Sequence, residues 1–552
     1  MSQPAPAAKI PLTAPVLVVA GLLLAVAAWS LPVNLKSISP ALLRAAGADT
    51  PSLAQFGRQL VESEKIGPAT LTLAAARTVN DPGTAALDQA LRDLSAHTPE
   101  MVAWGGWDPF LDPLFNLREN RGRSASTPVL TFFITEKARE TLRTYLTTSR
   151  SLGVQALLRT RDLTATGRFV PATQPGGQPL EAVILLTALL YQGEHLAPPL
   201  QRDLRTLAET ALAQKELGEL EPFYLDLLSL GKRLDWAQLG ELLRRTESPK
   251  TVGEYAHLAR VAPDELPLIY TAALFSGSAD QVATYLIKYG KPGLADLRLA
   301  LTDGQGAVNQ LLLWQVPVNH GAGAGLGVAA SLVILHPHLM MGLKYLGYVI
   351  AAFLVFLGLD RWIVTPGSAK TLGLPRMKSG VLALLFAALF IVVTEPFLLK
   401  AAPLSEYRFR LVLPVLLSTT APSHPPLAQP TPTMDASTLI SIGFFASLQI
   451  AMYFTCLLKI REIARSSLPP LVKLRLMENE ENLFDGGLYV GIGGTATALV
   501  LQVLGVIEPN LLAAYSSNLF GITCVALVKI RHVRPYKRSL ILDSQGPAAV
   551  TS

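Results

Sequence analysis

Apolar residues are distributed along this chain in two ways. Six stretches are apolar over, or close to, the ~20 residues a helix needs to span a bilayer. They run from about Ile10 to Val33, Tyr345 to Val364, Ser379 to Leu399, Ala436 to Leu458, Leu488 to Ile507 and Leu511 to Val528. The last two are joined by Glu508-Pro509-Asn510, which predicts a tight helical hairpin. Elsewhere, from Asn34 to about Val318, apolar residues recur at helical spacing with few strand signals. Asp235 opens a helix with Trp236, Leu239, Leu242 and Leu243 on one face, closed by Ser248-Pro249. Thr251 with Glu254, and Ser278 with Gln281, have capping-box spacing. The helix after Ser278 buries Val282, Tyr285 and Leu286 and ends at Gly290 and Pro292; the next carries Leu294, Leu297 and Leu301 and stops near Gly304. Asn120 to Thr127 and Pro171 to Pro179 read as loops, and Val129 to Ile134 as one short strand without an evident partner.

The predicted fold class is all-α: about six membrane helices and a large, mostly helical extracytoplasmic domain. Short helices joined by tight turns suit stacked helical hairpins, which bury a continuous core and offer extended surfaces. No fixed repeat motif appears, so an irregular bundle fits as well. The expected layout is a cytoplasmic N-terminus (1–9), an anchor (10–33) and the outer domain (34–344). Two further spans (345–399), an outer Pro-rich loop (400–435), three spans (436–528) and a basic cytoplasmic tail (529–552) follow.

Charge fixes the orientation. Arg361, Lys370, Arg376 and Lys378 follow the second span; Lys459, Arg461, Arg465, Lys473 and Arg475 follow the fourth; Lys529, Arg531, Arg534, Lys537 and Arg538 follow the sixth. Six spans put all three groups on one side, which the positive-inside rule makes cytoplasmic. The first span reads as an uncleaved anchor, or as a signal peptide cut near Ala25-Val26-Ala27; both leave the next domain outside. Half of the 552 residues are hydrophobic and 16% are charged, below the ~25% usual for soluble chains. The net charge of +6 therefore needs no nucleic acid to explain it. The two cysteines, Cys456 and Cys524, fall inside apolar runs, so the outer domain has no disulfide framework.

The chain shows no Walker loop, HExxH, nucleophile elbow or dinucleotide fingerprint, so an enzyme and a bound cofactor are not expected. Gly321 to Gly327 reads as a flexible lead into the second span. His336 and His338, with His320 nearby, read as interfacial histidines rather than metal ligands. Trp104, Trp107 and Phe110 read as a local core or an aromatic platform. Glu395 lies within the third span near its outer end; an ionisable group there is a functional candidate unless it reaches the headgroups. Asp360 and Arg361 end the second span by snorkelling.

The last hairpin carries the densest pattern. Gly491, Gly493 and Gly494 precede Thr495 and Thr497 in the fifth span; Ser516 and Ser517 precede Gly521 in the sixth. Small residues let membrane helices approach closely, and hydroxyls bond across the contact. Either this is helix packing, or the hydroxyls line a path for protons or sodium. From Ala436 to Arg538 the chain resembles the MotA/TolQ/ExbB proton-channel family. The shared features are an inward-running span, a charged cytoplasmic segment, a Gly-Gly-Thr helix, a tight outer turn and a Ser/Thr-bearing last helix with a basic tail. The resemblance implies a homo-oligomeric ring in which Thr495, Thr497, Ser516 and Ser517 face a pore, and a single-span partner that brings a membrane aspartate. The cytoplasmic segment Lys459 to Asp485 is shorter than in that family, and the three additional spans and the outer domain lie outside its common core. The expected function is an ion-conducting subunit of such a complex in the cell membrane, with a bacterial inner membrane the expected location. The alternative is a non-conducting scaffold whose outer domain binds protein partners.

Overall fold

The computed structural model describes residues 13–117, 125–320, 327–363, 436–503 and 511–544, with 380, 383–384, 386–388, 390–391, 394–395, 397 and 407. Among them the regular secondary structure is all helical; the only β contacts are the isolated bridges Ile38–Val318 and Ala165–Glu216. It divides into two compact units, residues 1–37, 335–401 and 415–552, and residues 38–334 with 402–414.

The helices run in chain order as follows. α1 (Thr13–Trp29) belongs to the first unit. In the second come α2 (Pro40–Gly47), α3 (Leu53–Glu62), α4 (Ile66–Val79), α5 (Thr84–His97), α6 (Asp112–Phe115), α7 (Val129–Phe133), α8 (Glu136–Thr147), α9 (Leu152–Arg159) and α10 (Gln178–Gln192). It continues with α11 (Pro198–Gln214), α12 (Leu220–Gly231), α13 (Trp236–Leu243), α14 (Pro249–Val261), α15 (Leu266–Ser276), α16 (Ala279–Asp303) and α17 (Gln305–Trp314). After α18 (Gly327–Leu335), the first unit resumes with α19 (Pro337–Ile363), α20 (Ala436–Arg465), α21 (Pro470–Asn479), α22 (Glu481–Phe484), α23 (Gly486–Val503), α24 (Leu511–Ala526) and α25 (Arg534–Ser544).

Local chemistry sets many of the boundaries in the second unit. Ser52 with Gln55 and Asp235 with Gln238 form full capping boxes that start α3 and α13. Ser278 caps α16 by accepting from the Gln281 amide. Inside α16 the helix breaks at Gly290, whose φ of 62° is a left-handed conformation that a side chain disfavours; Pro292 follows and Gly304 ends the helix. Two expectations shift. Ser248 does not close a helix but caps the next one, with Pro249 in its first turn, where a missing N–H loses no bond; Thr251 is then inside α14. Val129–Ile134 is not a strand: Pro128 precedes a short helix whose Val129, Leu130 and Phe133 point into the core. Their spacing of one and four residues marks a helical face, and no strand is present among the described residues to pair with.

The core of this unit lies on α10 and α15. From Leu180 to Leu190 every residue of α10 is buried, as a helix apolar on nearly all sides must be. At 15 residues it is a core helix rather than a span. Truncating one of its leucines, such as Leu186, to alanine would cost ~2–5 kcal/mol.

In the first unit, α1 and α19 pack antiparallel. A Cβ on Gly21 would meet Val355 and the Ala351 carbonyl; one on Gly347, Ala28; one on Gly358, Val18 and the Ala14 carbonyl. Glycine at these steps lets two backbones approach. One described helix, Pro337–Leu359, at mean hydropathy 1.9, is long and apolar enough to cross a membrane; Thr13–Trp29 is a shorter apolar helix. The segments 1–12, 118–124, 364–379, 504–510 and 545–552 lie outside the described residues, as do most of Ser379–Leu399 and, save Tyr407, the Pro-rich loop.

Candidate functional site

Three helices, α20, α23 and α24, assemble the polar pattern of the C-terminal hairpin. α23 and α24 touch backbone to backbone. A Cβ on Gly491 would lie 3.0 Å from the Ser517 carbonyl and 3.4 Å from the Cα of Gly521. One on Gly494 would lie 2.5 Å from Ser517 Oγ and 2.9 Å from the Phe445 ring. Gly493 differs, since a Cβ there meets nothing within 4 Å. It faces out of the hairpin with exposed Ala496 and Thr497.

The four hydroxyls separate accordingly. Ser517 is fully buried and donates to the Gly491 carbonyl across the hairpin (3.3 Å). Thr495 and Thr497 donate back to the carbonyls of Gly491 and Gly493 on their own helix (3.0 and 2.8 Å). Ser516 is half-buried. The sequence did not single out Gln449 on α20, yet it is buried at the centre, donating to the Gly487 carbonyl (3.0 Å). Its Oε1 and the Oδ1 of Asn518 accept no hydrogen bond among the described residues. Below this level Cys456 and Cys524 are buried with Met477 and Phe484. The last helix then widens into a π-helical turn, Leu527–Val533, where Lys529 meets Asp485 (2.8 Å) and His532 meets Tyr453 (2.8 Å).

Glu395 has partners. It is 1% exposed, and its Oε1 accepts from Tyr345 OH (2.7 Å) and lies 3.7 Å from Lys344 Nζ. Lys344, likewise buried, donates to the Val33 carbonyl (2.5 Å) and to Asn34 Oδ1 (2.8 Å). The cluster thus ties the chain after α1 to the start of α19 and the end of the third apolar run. Two charges this buried offset their desolvation only when paired and hydrogen-bonded.

The second unit uses its buried charges for internal contacts. Asp108 accepts from Trp236 Nε1 (2.9 Å) and faces His195 Nε2 (2.9 Å). Arg244 lies 2.8 Å from His195 Nδ1. A guanidinium only donates, so Nδ1 is the acceptor there, while Nε2 faces Asp108 without hydrogen-bond geometry. Burial pushes the Asp108 carboxyl up, but His195 and Trp236 outweigh it and hold it at about 2. The ring meets Phe110 and Trp236 besides, and none of these neighbours is a nucleophile. Asp235, the cap of α13, is fully enclosed; burial pushes its carboxyl up to about 7 against bonds from the Gln238 amide and Ser126. Trp104 is a core residue stacked on Phe132, with ring centroids 3.9 Å apart, whereas Trp107 is exposed. His320 is held by Asp296 (2.9 Å), and His336 and His338 sit at the start of α19, both exposed. Among the described residues no three His, Cys, Asp or Glu side chains are grouped to hold a metal. Residues 321–326, most of the glycine-rich lead, lie outside the described residues.

No protein-family model, curated protein or solved structure matches this chain.

Proposed function

We propose that the chain is a six-span membrane protein of the cell membrane that displays the helical unit of residues 38–334 outside the cytoplasm, as a non-enzymatic scaffold for protein partners. The observation that carries this reading is how the hairpin's polar groups are used. Ser517 is committed to the Gly491 carbonyl, and Thr495 and Thr497 bond to their own helix. Such bonds are what helix packing requires, and they need no ion. The antiparallel glycine contacts between α1 and α19 support a first helix that stays with the protein rather than being cleaved.

A second reading, an ion-conducting subunit of a MotA/TolQ/ExbB-like complex for protons or sodium, has a specific observation in its favour. The face of Gly493, Ala496 and Thr497 is open, and a ring of copies around a single-span partner would cover such a face. The mass of the protein in detergent separates the two. A monomer or dimer is expected for the scaffold; a ring of copies would overturn it in favour of the channel.

A further inference from the structure

We infer that the outer helical unit carries a binding site for a phosphate group, built by Arg139, Arg143 and Arg161 around Glu181. Arg139 and Arg143 stand one turn apart on α8, Arg161 lies just after α9, and Glu181 lies in the first turn of α10. Glu181 Oε1 accepts from Arg143 Nη2 (2.7 Å) and Arg161 Nε (3.0 Å), and Oε2 faces Arg139 Nε at 3.2 Å. Three positive charges against one negative leave a local surplus of two. One arginine would suffice to satisfy a structural carboxylate that pins α10 to its neighbours; Arg139 also donates to the Ile134 carbonyl (3.3 Å), whereas the side chains of Arg143 and Arg161 have no acceptor but Glu181 among the described residues. The wider segment does not supply the missing charge. From Arg139 to Arg168 the chain has six arginines against two acids, Glu140 and Asp162, both exposed.

Donors remain as well. Each guanidinium offers five N–H groups. The buried Nε of Arg143 has no acceptor, and that of Arg139 lacks hydrogen-bond geometry toward Glu181. The cluster is reachable, since the Arg143 and Arg161 side chains are 39% and 28% exposed while Glu181 is 7%. Guanidinium forks match both carboxylate and phosphate. A surplus of two favours a phosphate monoester, which approaches two negative charges above its second pKa of ~6, whereas a carboxylate would leave one positive charge unbalanced.

The test is a titration of the full-length protein, in an uncharged detergent, with inorganic phosphate against chloride at equal ionic strength, following thermal unfolding. Saturable stabilisation by phosphate alone is expected. R143Q and R161Q should each weaken it at least tenfold, whereas R205Q, in the exposed pair with Glu209, should leave it unchanged. E181Q should be less stable without ligand and gain more from phosphate than the wild type. Should R143Q not fold, R161Q carries the comparison. Glycerol phosphate and phosphatidic acid, two phosphate monoesters added separately, distinguish a soluble ester from a lipid headgroup; competition by either supports the site. Equal effects of phosphate and chloride, or a phosphate effect untouched in R161Q, would overturn it.

Discussion

Gly493 and Gly494 are adjacent in sequence but have opposite surroundings, and replacing each with alanine should have opposite effects. At Gly494 the new methyl would sit 2.5 Å from Ser517 Oγ and 2.9 Å from the Phe445 ring, well inside contact distance. Forcing a methyl into a filled contact costs ~1–3 kcal/mol. At Gly493 nothing lies within 4 Å, so the methyl adds no clash and the helix gains up to ~1 kcal/mol from replacing glycine. The protein provides its own reporter. Its two cysteines, Cys456 and Cys524, are both buried in this bundle, so the rate at which a maleimide labels them follows how often the bundle opens. Since ~1.4 kcal/mol is a factor of ten, G494A should label roughly 5- to 150-fold faster than wild type, and G493A at the same rate or up to ~5-fold slower. G493L should also keep the bundle closed; if it does so while abolishing oligomerisation, the open face is an assembly surface. Equal acceleration by G493A and G494A would refute the assignment of the two faces.

Other perturbations have defined outcomes. Ser517→Ala removes one cross-helix bond worth ~0.6 kcal/mol, so labelling should rise about threefold or less; a much larger change would mean Ser517 does more than pack. Lys344→Met strands the buried Glu395 carboxylate and should cost ~3–5 kcal/mol, seen as lost protease resistance in the membrane fraction, with much of it restored in the K344M/E395Q double variant. No loss in K344M would contradict the cluster. Asp235, held at about 7 against an ordinary 3.8, has a raised folded-state value. Its contribution is complete below pH 3.8 and declines as pH rises through 7, a loss of ~3 kcal/mol between about pH 5 and 8. The urea midpoint followed by tryptophan fluorescence should therefore fall over that range, and fall less in D235N; an identical slope in D235N would refute the assignment.

Features that depend on neighbours in sequence were legible, and those that depend on distant partners were not. The starts of α13 and α16 and the stop at Gly304 follow from a cap or a glycine a few residues from the helix they bound. The same Ser-Pro pair that reads as a stop proved a start, because Pro in the first turn loses no hydrogen bond. In the hairpin, composition marked the glycines without their phase. Gly487, Gly491 and Gly494 recur every three or four residues on one face, while Gly493 stands about 200° around the helix from Gly491. Glu395 stood out as an acid in an apolar run, but Lys344 lies 51 residues earlier in the sequence and Asn34 far before that, and no local pattern joins them. The Glu181 cluster escaped for the same reason: it forms only when α8, α9 and α10 come together.

The side of a membrane that each unit occupies is the property on which both functional readings depend. A reporter active only outside the cytoplasm, fused in turn after Gln310, Lys473 and Ser539, measures it. Activity after Gln310 with silence after Lys473 and Ser539 is the predicted result. Activity after Lys473 would contradict the six-span arrangement and, with it, the reading of the hairpin and of the helical unit as an external scaffold.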